Sequence, residues 1–460
     1  VPDLPSPPPS PAPPGGVPPR GDVLELAPLR GLRYADEGDL VTAPPFDIAL
    51  ALAPPYDMLN AAALAALIEA EPRNAVRLTV PPAANGASGS MSALSGPDRY
   101  RTAAATLHRW IATGVLVRDP EPVLYVYEQT GLDGERQRGL IGALRLPRTP
   151  GGVVRAHEDV ADTPVADRAA LMAATRANLE PIFLLYQGGS GTDRGAAGQA
   201  VDTAADSARG LLVEAVTADG TTHRLWAIAD PEVHAAIAAD LAGRSALIAD
   251  GHHRYAAYQR LRGELGGADP WAGYGLAMLV DSDTSPPHLR AIHRVLPGLD
   301  ARMAARAAAK TADVEALPGG PDDPGSVEGA VERLHAAAHG PALLLGGAGR
   351  WWLLHGFGPD RLAAAMPGHS PRWRTLPTAV LDGVLLPAWG ITEDSAVLVH
   401  DSPSEAAART GPRDSVVVVP PLTVDEVYAI TAGGELTPRK STSFGPKPRT
   451  GLVLRADDDT

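Results

Sequence analysis

Residues 245–265 carry an apolar run, Ser245–Ala249, that passes directly into Asp250-Gly251-His252-His253-Arg254 and then into Tyr255, Tyr258, Leu261 and Leu265 at helical spacing. A buried strand followed at once by a helix places their junction at the carboxyl edge of a sheet, where ligands bind in α/β proteins. The first backbone N–H groups of such a helix have no intrahelical partner and form the positive end of its dipole. Gly251, lacking a side chain, lets an anion approach them, and His252, His253 and Arg254 add donors. This is a phosphate site in outline. Asp250, just before it, is placed to hold Mg²⁺ or to accept a proton from a hydroxyl. The bland alternative is a helix capped by Asp250 with two surface histidines.

The rest of the chain narrows the setting. Its 460 residues, 45% of them hydrophobic, are enough for two or three structural units. Lys and Arg number 40 against 54 Asp and Glu, a net charge of −14, and no polybasic run occurs. Nucleic acid is thereby excluded as a main partner, because counterion release has little to act on. There is no cysteine, so disulfides, thiolate metal sites and Cys nucleophiles are all ruled out. The longest apolar stretches, around Ala61–Ile68 and Val416–Leu422, fall short of the roughly 18–20 residues of a membrane span, and a cytoplasmic protein is expected.

The pattern of runs predicts a mixed α/β (α+β) chain with too little regular βαβ spacing for a plain Rossmann or barrel fold. Strands are expected at Arg77–Val80, Val123–Gln129, Gly139–Leu146, Pro181–Tyr186, 211–228 as a hairpin, 274–281, 342–345, 351–355, 395–400 and 415–420. Helices are expected near 60–71, 98–112, 164–178, 231–242, 301–315, 326–338, 376–386 and 423–432. The domain reading is a Pro-rich extension over 1–21, an N-terminal α/β region over 22–186, a Gly/Ser/Asp-rich linker or loop over 187–209, a C-terminal α/β region over 210–455 and an acidic tail over 456–460.

Three further constellations carry chemistry. Only three lysines stand against 37 arginines, as if Lys were replaced wherever chemistry permits, and two of the three bracket Lys440-Ser441-Thr442-Ser443-Phe444-Gly445-Pro446-Lys447. Two compact ammonium groups with hydroxyls between them suit phosphate oxygens, so Lys440, Ser441, Thr442 and Lys447 are candidate ligands. His157-Glu158 stands where an extended segment meets a loop; Glu158 is a candidate general base, and His157 a donor or metal ligand. Asp57 is set rigidly by Pro54-Pro55-Tyr56, and the phrase Ala43-Pro44-Pro45-Phe46-Asp47 echoes it. Glu128-Gln129 and His293-Arg294 read as residues that line or brace a pocket, and His400-Asp401 as a chance match to a metal-phosphohydrolase dipeptide. No P-loop, protein-kinase His-Arg-Asp loop, G-x-S-x-G elbow or H-E-x-x-H motif is present.

Taken in order, Leu29-Arg30-Gly31-Leu32-Arg33-Tyr34, Ala53–Asp57, Tyr125–Gln129, Ala156-His157-Glu158, Ile248–Tyr255, His293-Arg294 and Lys440–Lys447 resemble a bacterial and archaeal family of conserved proteins, a domain of unknown function with an Ala-Asp-Gly-His-His-Arg-Tyr signature. Its Asp-Gly-His-His-Arg element looks like the phosphate-binding element of the ParB and sulfiredoxin-like superfamily, which includes nucleotide-dependent free serine kinases. The resemblance implies a ParB/sulfiredoxin-like core with an added α/β subdomain, and nucleotide phosphates on Gly251, His252, His253 and Arg254. The family's Met-Pro-Pro-Lys-Ser-Thr phrase is here Leu436-Thr437-Pro438-Arg439-Lys440-Ser441-Thr442, a departure that keeps the lysine and the hydroxyls.

The function expected is phosphoryl transfer from ATP or ADP, with Mg²⁺ near Asp250, to a small hydroxyl metabolite such as L-serine. Glu158 or Asp57 would be the base. The alternatives are a metal-dependent phosphoester hydrolase built on His157, Glu158, Asp250, His252 and His253, and a nucleotide-sensing regulator without turnover.

Overall fold

The computed structural model describes residues 22–35, 47–81, 97–149, 151–207, 209–266, 269–337, 340–400 and 402–458. The Pro-rich stretch 1–21, the phrase Ala43–Phe46, most of the Gly/Ser/Asn-rich loop at 83–97, Asp401 and the last two residues of the acidic tail lie outside them. The chain is mixed α/β, in two compact units, one taking in Pro18–Pro287 and Pro446–Thr460, the other His288–Gly445. The second is thus an insertion in the first along the sequence.

The first unit is organised by a nine-stranded mixed sheet. Along its main path it runs Val154–Arg155, Ala246–Asp250, Ile182–Tyr186, Tyr274–Asp281, Arg136–Arg145, Leu124–Thr130, Thr222–Ile228, Leu211–Val216, and Leu26–Ala27 pairs with Arg136–Arg145 off that path. Two neighbour pairs are parallel, Ala246–Asp250 with Val154–Arg155 and Tyr274–Asp281 with Ile182–Tyr186. Leu124–Thr130 pairs antiparallel with Arg136–Arg145 across the Asp133-Gly134 turn, and the hairpin expected over 211–228 forms from Leu211–Val216 and Thr222–Ile228. Central strands are buried throughout, as in Ile182–Tyr186 and Ala246–Asp250, so they read as continuous apolar runs. Helices Asp162–Thr175 and His252–Glu264 pack on the sheet through Val165, Ala169, Met172, Ala257, Tyr258 and Leu261. A second apolar cluster joins Leu32, Tyr34, Leu107, Trp110, Leu171 and Leu454.

The inserted unit holds a six-stranded antiparallel sheet in the order Asp313–Leu317, Arg350–His355, Leu343–Gly347, Ser415–Val418, Ile292–Leu296, Val397–His400. Its core gathers Val327, Leu334, Leu344, Trp351, Leu353, Val399 and Val416.

Several elements differ from expectation. Arg77–Val80 is a helical turn, Val76–Thr79, and not a strand. Asn74 explains it: its side-chain oxygen accepts the Val76 N–H while its amide donates to the Leu50 and Leu52 carbonyls, which starts the turn locally. The stretch 187–209, expected as a linker, contains the helix Ala196–Ala205 inside the first unit, because Ala197 and Val201 fall on one face and enter the core. The units therefore part at Pro287/His288 and Gly445/Pro446. The helix expected over 301–315 ends at Ala308, and Asp313–Leu317 continues as a strand paired with Arg350–His355. Among the described residues no helix is long and apolar enough to cross a membrane.

Candidate functional site

The strand-to-helix junction forms as the sequence implies. Ala246–Asp250 ends at Gly251, which takes φ 91°, and His252–Glu264 begins at the next residue. A left-handed φ favours glycine, and the space matters as well: a Cβ at Gly251 would lie 3.1 Å from Arg254 Nε and from Ile182 Cγ2.

The sheet brings His157-Glu158 to this junction. Val154 and Arg155 pair in parallel with Ala246 and Leu247, so the next residues run beside Ile248–His252. His157 Nδ1 lies 2.6 Å from the Ile248 carbonyl, and its backbone N–H donates to His252 Nε2 at 3.5 Å. The two rings meet edge to face with centroids 4.5 Å apart. His252 Nδ1 stands 3.5 Å from Glu158 Oε1. His253 turns the other way and accepts the Ala161 N–H at 3.3 Å. Burial pushes His157 down to about 4, and burial followed by the neighbouring His157, His253 and Lys447 holds His252 well below its ordinary value. Both rings are neutral at pH 7, so they serve as dipoles and donors and not as cations.

The positive charge comes from Arg254 and Lys447. Arg254, 2% exposed, donates to Asp250 Oδ2 at 2.7 Å and to the Pro181 carbonyl at 2.6 Å, while its Nε is buried without a hydrogen-bond partner. Burial would lower its pKa, but Glu180, Asp250 and Asp57 together hold it above the ordinary value. Lys447 Nζ contacts Asp250 Oδ1 and stands 3.9 Å from Asp57 Oδ2. Burial opposes its charge as well, and Asp250 and Asp57 outweigh it.

The segment carrying Lys447 is tied on both sides. Gln129 donates to the Pro446 carbonyl at 3.0 Å, the Arg449 N–H reaches Tyr127 Oη at 3.4 Å, and Thr450 exchanges backbone bonds with Ala53. Gln129 thus ties the segment before Lys447 to strand Leu124–Thr130.

Of the sequence candidates, Asp57, His157, Glu158, Asp250, Gly251, His252, His253, Arg254 and Lys447 belong to the first unit, and the contacts above link them. Lys440, Ser441 and Thr442 belong to the inserted unit. There Ser441 Oγ bonds Thr378 Oγ1 at 2.8 Å, and the Lys440 carbonyl accepts from Arg294 at 3.1 Å. Sequence reasoning missed Glu180, whose buried carboxylate accepts from the Tyr56 N–H at 3.0 Å and from Thr450 Oγ1 at 2.9 Å. A single Glu between an apolar helix and an apolar strand carries no motif; the signal was its place immediately before Pro181, at the start of a buried strand.

Among the described residues no group of three or more His, Asp or Glu is arranged to hold a metal ion. The two oxygens of Asp250 are engaged by Arg254 and Lys447, so Asp250 fits a cation only where one of those groups leaves its oxygen.

A family model described as a protein of unknown function, DUF1015, matches residues 26–379. The chain belongs to this family. No curated protein matches the chain. Among solved structures, SbnI with a C-terminal truncation from Staphylococcus aureus is similar at 11% identity and TM-score 0.34, covering 68% of this DUF1015 chain and 87% of that one. A free serine kinase mutant in complex with ADP is similar at 14% identity and TM-score 0.34, with 68% and 92% covered. A conserved hypothetical protein from Pyrococcus furiosus is similar at 15% identity and TM-score 0.32, with 68% and 95% covered. At these identities and scores the likenesses carry no functional argument for the DUF1015 chain.

Proposed function

We propose that the chain binds a nucleotide by its phosphates at the Asp250–Arg254 junction and transfers a phosphoryl group to a small hydroxyl metabolite, L-serine being the first to test. The observation that carries the reading is Arg254 Nε, buried and unpartnered beside a glycine with no Cβ at the N-terminus of a thirteen-residue helix. A buried donor without a partner costs about 1–3 kcal/mol, and an anion at that point would remove the cost. Lys447 adds a second cation that is now held by Asp250 and would move to the phosphate, leaving Asp250 for Mg²⁺ carried in on the nucleotide.

Phosphoryl transfer asks the protein mainly for positioning and charge neutralisation. The acceptor oxygen would bond to phosphorus as the phosphorus–oxygen bond to the departing nucleotide breaks, and its proton would pass to a carboxylate. Asp57 is the better placed base: its side chain is 41% exposed and stands 3.9 Å from Lys447, whereas Glu158 faces His252.

Calorimetric titration with ATP and ADP tests the binding step. Wild-type protein should bind, and Arg254→Ala should lose at least about 30-fold in affinity, the roughly 2 kcal/mol of a charge-assisted bond. Lys447→Met guards against a folding defect and should also bind more weakly. Unchanged affinity in both variants contradicts the reading.

A further inference from the structure

We infer that Glu180 is the positioning residue of this site: one buried carboxylate that, by hydrogen bonds, fixes the two segments carrying Asp57 and Lys447. The inference rests on the functional reading above for its meaning, though its structural content stands by itself.

Glu180 is 4% exposed and sits between the short strand Ala177–Asn178 and strand Ile182–Tyr186. Its Oε1 accepts from the Tyr56 N–H, 124 residues away in sequence, and from the Thr450 hydroxyl, 270 residues away. Tyr56 immediately precedes Asp57, and Thr450 lies three residues beyond Lys447. Together with Asp250 and Asp57, the Glu180 carboxylate favours the charged Arg254 guanidinium. The backbone around it serves the same end. The Pro181 carbonyl accepts from Arg254 Nη1, and Asn178 Oδ1 accepts from Arg455 Nη1 at 2.9 Å, farther along the segment that carries Lys447.

A carboxylate is suited to this place because it accepts several bonds at once and bonds to charged acceptors are about twice as strong as neutral ones. It also supplies counter-charge near a buried guanidinium whose bonded carboxylate, Asp250, is shared with Lys447. Glu180 reaches no atom proposed to react, so its part is to hold the base and both phosphate cations in register.

Hydrogen exchange and ADP titration on the full chain, for wild type, Glu180→Gln and Thr450→Val, test the inference. Glu180→Gln keeps the shape and removes the charge. It should speed exchange about tenfold or more in peptides covering 53–58 and 446–456, leave the core strand 274–281 unchanged, and weaken ADP about tenfold or more. Thr450→Val should loosen 446–456 alone. Unchanged exchange in both peptides of Glu180→Gln overturns the inference, and so does a rise spread equally to 274–281, which would mark a general packing role. If wild type binds no ADP while exchange responds as expected, the nucleotide reading falls and the positioning role stands.

Discussion

Asp382 is a half-buried carboxyl in the inserted unit, on the π-helical turn Leu381–Leu385, and its Oδ1, which is out of solvent, has no hydrogen-bond partner. Burial pushes its pKa up to about 7, with Arg294 pulling it down and Glu393 pushing it up. Unfolded, the group releases its proton near pH 4. Its pKa is therefore higher folded than unfolded, so the stability it contributes is full below about pH 4 and is lost as pH rises through about 7. Asp382→Asn should be more stable than wild type at pH 8, on the order of a few kcal/mol, with the gap closing toward pH 4. Denaturant titration at the two pH values measures this, and equal stability at pH 8 would contradict it. Single residues were unevenly legible in the sequence. Asp250, Gly251, Arg254 and His157 stand in recognisable strings, and Lys447 was exposed by the scarcity of lysine. Glu180 and Asp382 were not legible, because what singles them out is an enclosed carboxyl facing partners distant in sequence, Tyr56 and Thr450 for the one and Arg294 for the other, and no local spacing encodes that.

At the level of elements, the strand-to-helix junction depends on Gly251. Any side chain there meets both a left-handed φ of 91° and contacts of 3.1 Å to Arg254 Nε and Ile182 Cγ2. Gly251→Ala should cost about 2 kcal/mol, the left-handed penalty with a close contact added. The same methyl would sit over the donor proposed for phosphate, so ADP should bind more weakly than the stability loss alone explains. Thermal unfolding with and without ADP separates the two effects, and an unaltered ADP-induced shift would contradict the second. The junction was readable because its signal is local: an apolar run, a glycine and a helical period. Arg77–Val80 misled because its β-like composition is overruled by Asn74, whose side chain bonds across to Leu50 and Leu52. Ala196–Ala205 was hidden for a related reason. Its surroundings are rich in Gly and Asp, and its N-terminal N–H at Ala197 is satisfied by the distant Asp240 instead of a capping residue beside it.

For the whole molecule, the insertion of His288–Gly445 between Pro287 and Pro446 means that the chain leaves the first unit and comes back to it just before Lys447. Each unit has its own sheet and apolar core, so calorimetric unfolding should resolve two transitions, with Asp382→Asn moving only the one that belongs to the inserted unit. A single transition that shifts as one would contradict separate cores. This organisation escaped the sequence because strands from 124–186 and 211–281 share one sheet, and the glycine-rich stretch between them resembles a boundary. It also separates the lysines that the sequence seemed to unite, since Lys440 falls in one unit and Lys447 in the other. In the first unit, Arg254 and Lys447 are proposed to hold nucleotide phosphates for transfer. A phosphorus NMR time course with ATP or ADP, Mg²⁺ and L-serine, run beside Arg254→Ala, tests it directly. A new phosphomonoester resonance is expected with wild type and none with the variant; nucleotide left intact by wild type, or consumed equally by both, would overturn the phosphate role.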